Sequence, residues 1–144
     1  MFRTAILISV LLWATTANSE TIELGFRWGM GTYTVPVKIG GLKERSLTFD
    51  TGASLTVLRI EDVEKLGLKP QGRAGVTFPH QGVRVAAYYY TLPKMRIGNC
   101  MIENTRVIGI NLPKGRPGVL GMADLEKLSP FTFEAGRLEI TCPK

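Results

Sequence analysis

Apolar and polar residues alternate over residues 33–39: Tyr33, Val35, Val37 and Ile39 fall on one side, Thr34, Pro36 and Lys38 on the other. That spacing predicts a half-buried β-strand. Pro36 cannot donate to a ladder, so the strand is expected at an edge, or with its bond-free side there. Gly40-Gly41 signals a turn. Residues 42–49 return as the hairpin partner and end at Asp50. After Asp50-Thr51-Gly52-Ala53-Ser54 comes another β-prone run, Leu55-Thr56-Val57-Leu58. Ile60, Val63 and Leu66 then share one face of a short helix over 60–67. Acids in its first turn, Lys65 near its end and Gly67 beyond suit the helix dipole and a C-terminal cap.

The remaining pattern is again mostly β. Thr21-Ile22-Glu23-Leu24 alternates as a short strand, and residues 25–31 read as a glycine-rich connection. Residues 76–78 and 83–85 form a candidate hairpin around Pro79-His80-Gln81-Gly82. Tyr88-Tyr89-Tyr90 continues as strand, Gly98-Asn99 turns, and residues 100–102 and 105–110 read as further strands. A loop over 111–118 leads to Val119-Leu120-Gly121 and a helical stretch over 123–128 that Pro130 stops. Residues 131–133 and 138–140 predict a terminal hairpin. Many short strands with turns between them and two short helices describe a mostly-β, barrel-like domain.

Composition narrows this further. At 144 residues, 44% hydrophobic and 21% charged, the chain suits one globular domain and is short for a two-lobed enzyme. Residues 1–19 read as a secretory signal peptide: a positive start at Arg3, an apolar core over 5–13, and Ala17-Asn18-Ser19 as a cleavage site. The mature domain is then 20–144, and its expected location is secreted or periplasmic. The rival reading keeps residues 1–19 as an inner-membrane anchor. The apolar run is short for a membrane span, which needs about 20 residues. Arg3 is the one charged residue in the leader, so 17 of 18 basic and all 12 acidic side chains remain, a balance of +5. The basic residues are scattered, which fits solvated faces, and no nucleic-acid motif accompanies them.

The chemistry candidates are few. Cys100 and Cys142 are the two cysteines, and a disulfide within the chain, a bridge between chains and two free thiols all remain open. A structural zinc site is not supported, and no metal or cofactor is implied. His80 is the single histidine and has no nucleophile motif near it, which argues against Ser–His or Cys–His catalysis. Asp50-Thr51-Gly52 is a weak signal by itself, since Asp and Gly are common in turns. Here it follows an apolar strand and is answered by Val119-Leu120-Gly121 before a helix.

On these residues the chain resembles the retropepsin-like aspartic proteases, in their small single-domain bacterial branch with an export signal. The motifs are Phe49-Asp50-Thr51-Gly52-Ala53-Ser54, Lys65-Leu66-Gly67-Leu68, Val119-Leu120-Gly121-Met122 and Gly136-Arg137-Leu138. The resemblance implies a closed retropepsin-like β-barrel with one or two short helices. It implies Asp50 as the catalytic aspartate and Thr51 as the residue bonding across to a second subunit. Gly52, Ala53 and Ser54 would complete the active-site loop, and Val119, Leu120 and Gly121 would support it from behind. Phe78, His80, Gln81 and Gly82 would belong to the flap over a peptide substrate, although they depart from the glycine-rich viral tip. Met122 stands where viral enzymes carry an arginine, so that ion pair is not carried over.

The mechanism needs two carboxylates sharing one proton. The chain has three aspartates, and Asp62 and Asp124 fall on predicted helices outside any such motif. One chain then holds half a site, and activity requires a homodimer that pairs Asp50 with Asp50. The alternative is a non-catalytic binding or scaffolding module of the cell envelope on the same fold.

Overall fold

The computed structural model describes residues 18–77 and 84–143. In chain order the elements are β1 (Ser19–Glu23), β2 (Gly25–Arg27), β3 (Thr32–Ile39), β4 (Arg45–Phe49), β5 (Thr56–Arg59), α1 (Ile60–Lys65), β6 (Arg73–Thr77), β7 (Arg84–Ile97), β8 (Cys100–Ile110), β9 (Val119–Leu120), α2 (Met122–Leu125), a 3-10 turn (Glu126–Leu128), β10 (Thr132–Glu134) and β11 (Arg137–Thr141). The mostly-β expectation holds.

The alternation in β3 does what its period requires. Val35, Val37 and Ile39 are fully buried, and each such aliphatic side chain contributes about 1.5–3 kcal/mol by leaving water. β3 pairs with β4 through Val35↔Leu47 and its neighbours. The large sheet runs β2-β3-β4-β9-β5-β8-β7-β6, and a further β3–β7 pairing, Lys38↔Arg96 and Ile39↔Met95, brings it round on itself. The ring thus formed encloses Leu47, Leu58, Leu92, Met95, Ile97, Ile102, Val107 and Leu120. Pro36 lies inside the sheet but costs no ladder bond. β2 takes up the second side of β3 at residues 32–34 and β7 takes it from Lys38 onward, so Pro36 falls between the two pairings.

Several elements differ from their sequence reading. Part of the 25–31 connection is strand, because Gly25, Phe26 and Arg27 pair with Thr34, Tyr33 and Thr32. Residues 100–110 are one strand: the pairing with β7 skips Asn104 (φ +48°), opposite Pro93, and resumes in the same register, Leu92↔Thr105 on one side and Lys94↔Glu103 on the other. The 123–128 helix starts at Met122 and tightens to a 3-10 turn after Leu125. The helix over 60–67 ends as expected, with Gly67 left-handed at φ +70° and its amide bonded to the Glu64 carbonyl.

A small sheet, ordered β1-β11-β10, joins the two ends of the chain. It meets the ring through an aromatic run. Phe133 stacks on Phe49 at 5.6 Å and packs edge-on to Tyr33 at 5.1 Å, and Tyr33 continues to Phe26 and Trp28. Cys100 and Cys142 form a disulfide that ties the end of β11 to the start of β8.

Candidate active site

β4 runs parallel to β9, with Phe49 beside Leu120, and the Asp50 amide donates to the Leu120 carbonyl at 3.3 Å. This is the last ladder bond of β4, so Asp50 stands where the strand lets go. A turn follows: the Ala53 amide donates to the Asp50 carbonyl at 3.3 Å and the Gly52 amide to the Asp50 carboxylate Oδ1 at 2.8 Å. Asp50 is half-buried, while Thr51, Gly52 and Ser54 are exposed. The glycine requirement at position 52 is one of space. Gly52 is not among the left-handed glycines, but a Cβ there would come 3.1 Å from Asp50 Oδ1.

Val119, Leu120 and Gly121 back this loop. Leu120 is fully buried, and the Gly118 carbonyl accepts from the Thr48 amide at 2.8 Å. Past Gly121 the first amides of α2 have no partner within the helix. They turn to the loop instead: Met122 donates to the Ala53 carbonyl at 2.8 Å and Ala123 to the Ser54 carbonyl at 3.0 Å. Gly121 makes room for this, since a Cβ would sit 2.5 Å from the Leu55 carbonyl oxygen and 2.8 Å from the Thr56 nitrogen. The structure therefore brings Asp50, Thr51, Gly52, Ala53, Ser54, Val119, Leu120 and Gly121 together. Phe78, His80, Gln81 and Gly82 lie outside the described residues. Cys100 and Cys142 are far along the fold, at the junction of β11 with β8.

Three side chains beside this loop carried no sequence motif. Arg59 donates to the carbonyls of Leu112, Pro113 and Arg116 at 3.0, 2.6 and 3.0 Å, fixing the loop that feeds β9. Thr56, fully buried, accepts from the Gly121 amide at 3.2 Å. Asp124, read from sequence as a helix residue remote from the motif, is fully buried and accepts from the Thr56 hydroxyl at 2.6 Å. Its only advance signal was a carboxylate inside the otherwise apolar run that follows Gly121.

The arrangement presents one carboxylate at the mouth of the ring, with a backbone donor on one oxygen. A hollow of about 330 Å³ beside Lys38, Lys94 and Arg96 does not touch Asp50. Among the described residues the one grouping with metal-ligand spacing is Glu20, Cys100 and Cys142, and its two sulfurs are bonded to each other.

Comparison with known proteins agrees with this geometry. A solved retropepsin-like aspartic protease from Rickettsia conorii superposes with a TM-score of 0.64 at 23% identity, over 88% of this chain and 94% of that one. The EIAV protease, solved with the inhibitor HBY-793, gives 0.52 at 20% identity over 72% and 93%. The retroviral protease-like domain of Ddi1 from Leishmania major gives 0.53 at 13% identity over 72% and 81%. At these identities the likeness is one of fold. No curated protein matches the chain by sequence. A family model described as aspartyl protease matches residues 35–123, which include both Asp50 and Gly121. This chain belongs to the aspartyl protease family.

Proposed function

We propose that the protein is an aspartic endopeptidase, exported through residues 1–19 and active as a homodimer with one Asp50 from each chain. The observation that carries the reading is the placement of Asp50: a single carboxylate, at the open end of β4, oriented by the Gly52 amide. Neither other aspartate can serve as its mate. Asp62 is engaged by Arg45 at 2.7 Å and Asp124 is buried behind the loop. A two-fold axis beside the exposed Thr51-Gly52 turn supplies the second carboxylate.

Two carboxyl groups about 3 Å apart share one proton. The ionised one takes a proton from a water as that water adds to the scissile carbonyl carbon. The protonated one gives its proton to the carbonyl oxygen. The tetrahedral intermediate then collapses, the amine nitrogen leaves with a proton, and a carboxylic acid remains. The two titrations belong to the pair rather than to either chain, and the optimum falls in acid.

A second reading, a binding module on the same fold, is favoured by one observation. Trp28 is 88% exposed and continues an aromatic run through Phe26 and Tyr33 to Phe133 and Phe49. The deciding experiment is cleavage of an unfolded protein by residues 20–144 over about pH 3 to 7, beside Asp50→Asn. Turnover that vanishes in the variant and rises faster than linearly with enzyme concentration supports the homodimeric protease. A folded wild-type chain that cleaves nothing favours the binding module, and equal cleavage by both proteins removes Asp50 from the mechanism.

A further inference from the structure

Asp124 has no exposed surface, yet every polar atom around it is engaged. Oδ2 accepts from the Thr56 hydroxyl at 2.6 Å; Oδ1 accepts from the Thr105 hydroxyl and from Lys127 Nζ at 3.1 Å. Lys127 also donates to Thr105 Oγ1 at 2.7 Å. A hydroxyl has one proton to give. Thr56 gives its proton to Asp124, so its lone pairs are turned to the Gly121 amide at 3.2 Å. Gly121 is followed by the two amides that hold the Ala53 and Ser54 carbonyls. An unbroken path of bonds therefore runs from the Asp124 carboxylate through Thr56 and Gly121 to the loop that bears Asp50.

Stability does not explain such a group. A buried ionic group is commonly matched or bettered by an apolar side chain of the same volume, and Leu125 and Leu128 of the same helical stretch are fully buried apolar residues. What a leucine cannot do is fix the direction of the Thr56 hydroxyl. We propose that Asp124 is a positioning residue, which orients Thr56 so that Gly121, and through it the Asp50 loop, is held in one geometry. This rests on the aspartic protease reading, since it assigns the loop a reacting geometry to keep.

The test uses the full chain expressed through its own export segment, with Asp124→Leu, Asp124→Asn, Thr56→Val and Thr56→Ser. Asn keeps an acceptor for Thr56, and Ser keeps the hydroxyl. Asp124→Leu and Thr56→Val should lower kcat about tenfold to a hundredfold, the scale of a small misplacement at a reacting centre, with KM within about twofold. Asp124→Asn and Thr56→Ser should restore most of kcat. In the two damaging variants the amide resonances of Gly52 and Ala53 should shift or broaden. Should Asp124→Leu fail to fold, the Thr56→Val and Thr56→Ser pair carries the same comparison. Wild-type kcat and unchanged Gly52 and Ala53 resonances in folded Thr56→Val would overturn the proposal. If the wild-type chain cleaves nothing, the resonances still decide: movement supports the coupling while the protease reading falls, and no movement removes the coupling as well.

Discussion

The Gly52 amide donates to Asp50 Oδ1 at 2.8 Å, and a Cβ on Gly52 would come 3.1 Å from the same oxygen. One residue thus both orients the carboxylate and leaves it space. Because Gly52 is not left-handed, alanine can adopt its backbone, and the added methyl must act by pushing the carboxylate. Gly52→Ala is expected to lower kcat by about tenfold or more through displacement of the reacting group. Its unfolding midpoint should stay near wild type, since position 52 is exposed. Steady-state kinetics beside thermal unfolding checks this, and an unimpaired kcat would show that the carboxylate has slack.

The pair Arg45–Asp62 predicts a pH dependence. Arg45 Nε and Nη2 grip the two oxygens of Asp62 at 2.8 and 2.7 Å, joining β4 to α1. These bonds hold the Asp62 carboxyl below its ordinary range, against the upward push of burial, with the charges of Arg45, Lys65 and Arg59 assisting. A carboxyl depressed on folding contributes stability that is full above the unfolded value, about 4, and is lost as pH falls through the folded one. The pair therefore keeps its contribution in the mild acid that the proposed dyad needs. Arg45→Leu should destabilise by about 2–3 kcal/mol near pH 7, by removing charged hydrogen bonds from a buried carboxylate. The gap from wild type should narrow as pH falls below about 4, where the unfolded chain's carboxyl takes up a proton that the Arg45-bound one resists. Denaturant unfolding near pH 7 and at about pH 3 measures it, and an equal gap at both would show that the ionised carboxylate is not what Arg45 stabilises.

Much of this fold was legible because its signals are local. The alternation in β3, Gly40-Gly41 and the arrival of β4 at Asp50 all lie within 20 residues or so, and so does the Gly67 stop of α1. The parts that escaped are made across long stretches of chain. Nothing near Thr56 announces Asp124, which is 68 positions away, and a carboxylate on a short helix reads as a solvent group until the packing is known. Arg59 likewise meets its carbonyls more than 50 residues on. Phe26 paired as strand because Tyr33, itself packed on Phe133, gave its ring a place to pack, a tertiary cause that glycine-rich flanks conceal.

The disulfide gives a third prediction. Cys100 and Cys142 are 42 positions apart and fasten the terminal sheet to the ring. Glu20 reinforces the junction, accepting from the Asn99 amide at 2.7 Å and from Asn99 Nδ2 at 3.2 Å. Closing a loop of this length constrains the unfolded chain by about 3–4 kcal/mol. Cys100→Ala with Cys142→Ala should lower stability on that scale, and reductant should do the same to wild type but not to the double variant. Since Cys142 is used within its own chain, denatured wild type should run at the mass of one chain with or without reductant. A doubled mass without reductant would move the bridge to the space between chains.

Gly121 and Gly109 are both crowded, by different kinds of atom, and that difference is measurable. At Gly121 a Cβ would meet the Leu55 carbonyl oxygen at 2.5 Å and the Thr56 nitrogen at 2.8 Å, which are backbone atoms of the strand beside it. At Gly109 it would meet the Tyr90 ring at 2.6 Å. Overpacking a filled interior costs about 1–3 kcal/mol, so both alanine variants should be destabilised. The remedies differ. Trimming Tyr90 to leucine takes away the nearest obstacle at Gly109 and leaves Val63 Cγ2 at 3.1 Å, so Gly109→Ala with Tyr90→Leu should be more stable than the sum of the single changes, by about 1 kcal/mol. No side-chain change relieves Gly121→Ala. There β5 or β9 must move, and with β9 go the Met122 and Ala123 amides that hold the Asp50 loop. Gly121→Ala should therefore lose turnover even at temperatures where it is fully folded, while Gly109→Ala should lose stability alone. Equal kcat for folded Gly121→Ala and wild type would mean that the loop keeps its geometry without its seat on α2.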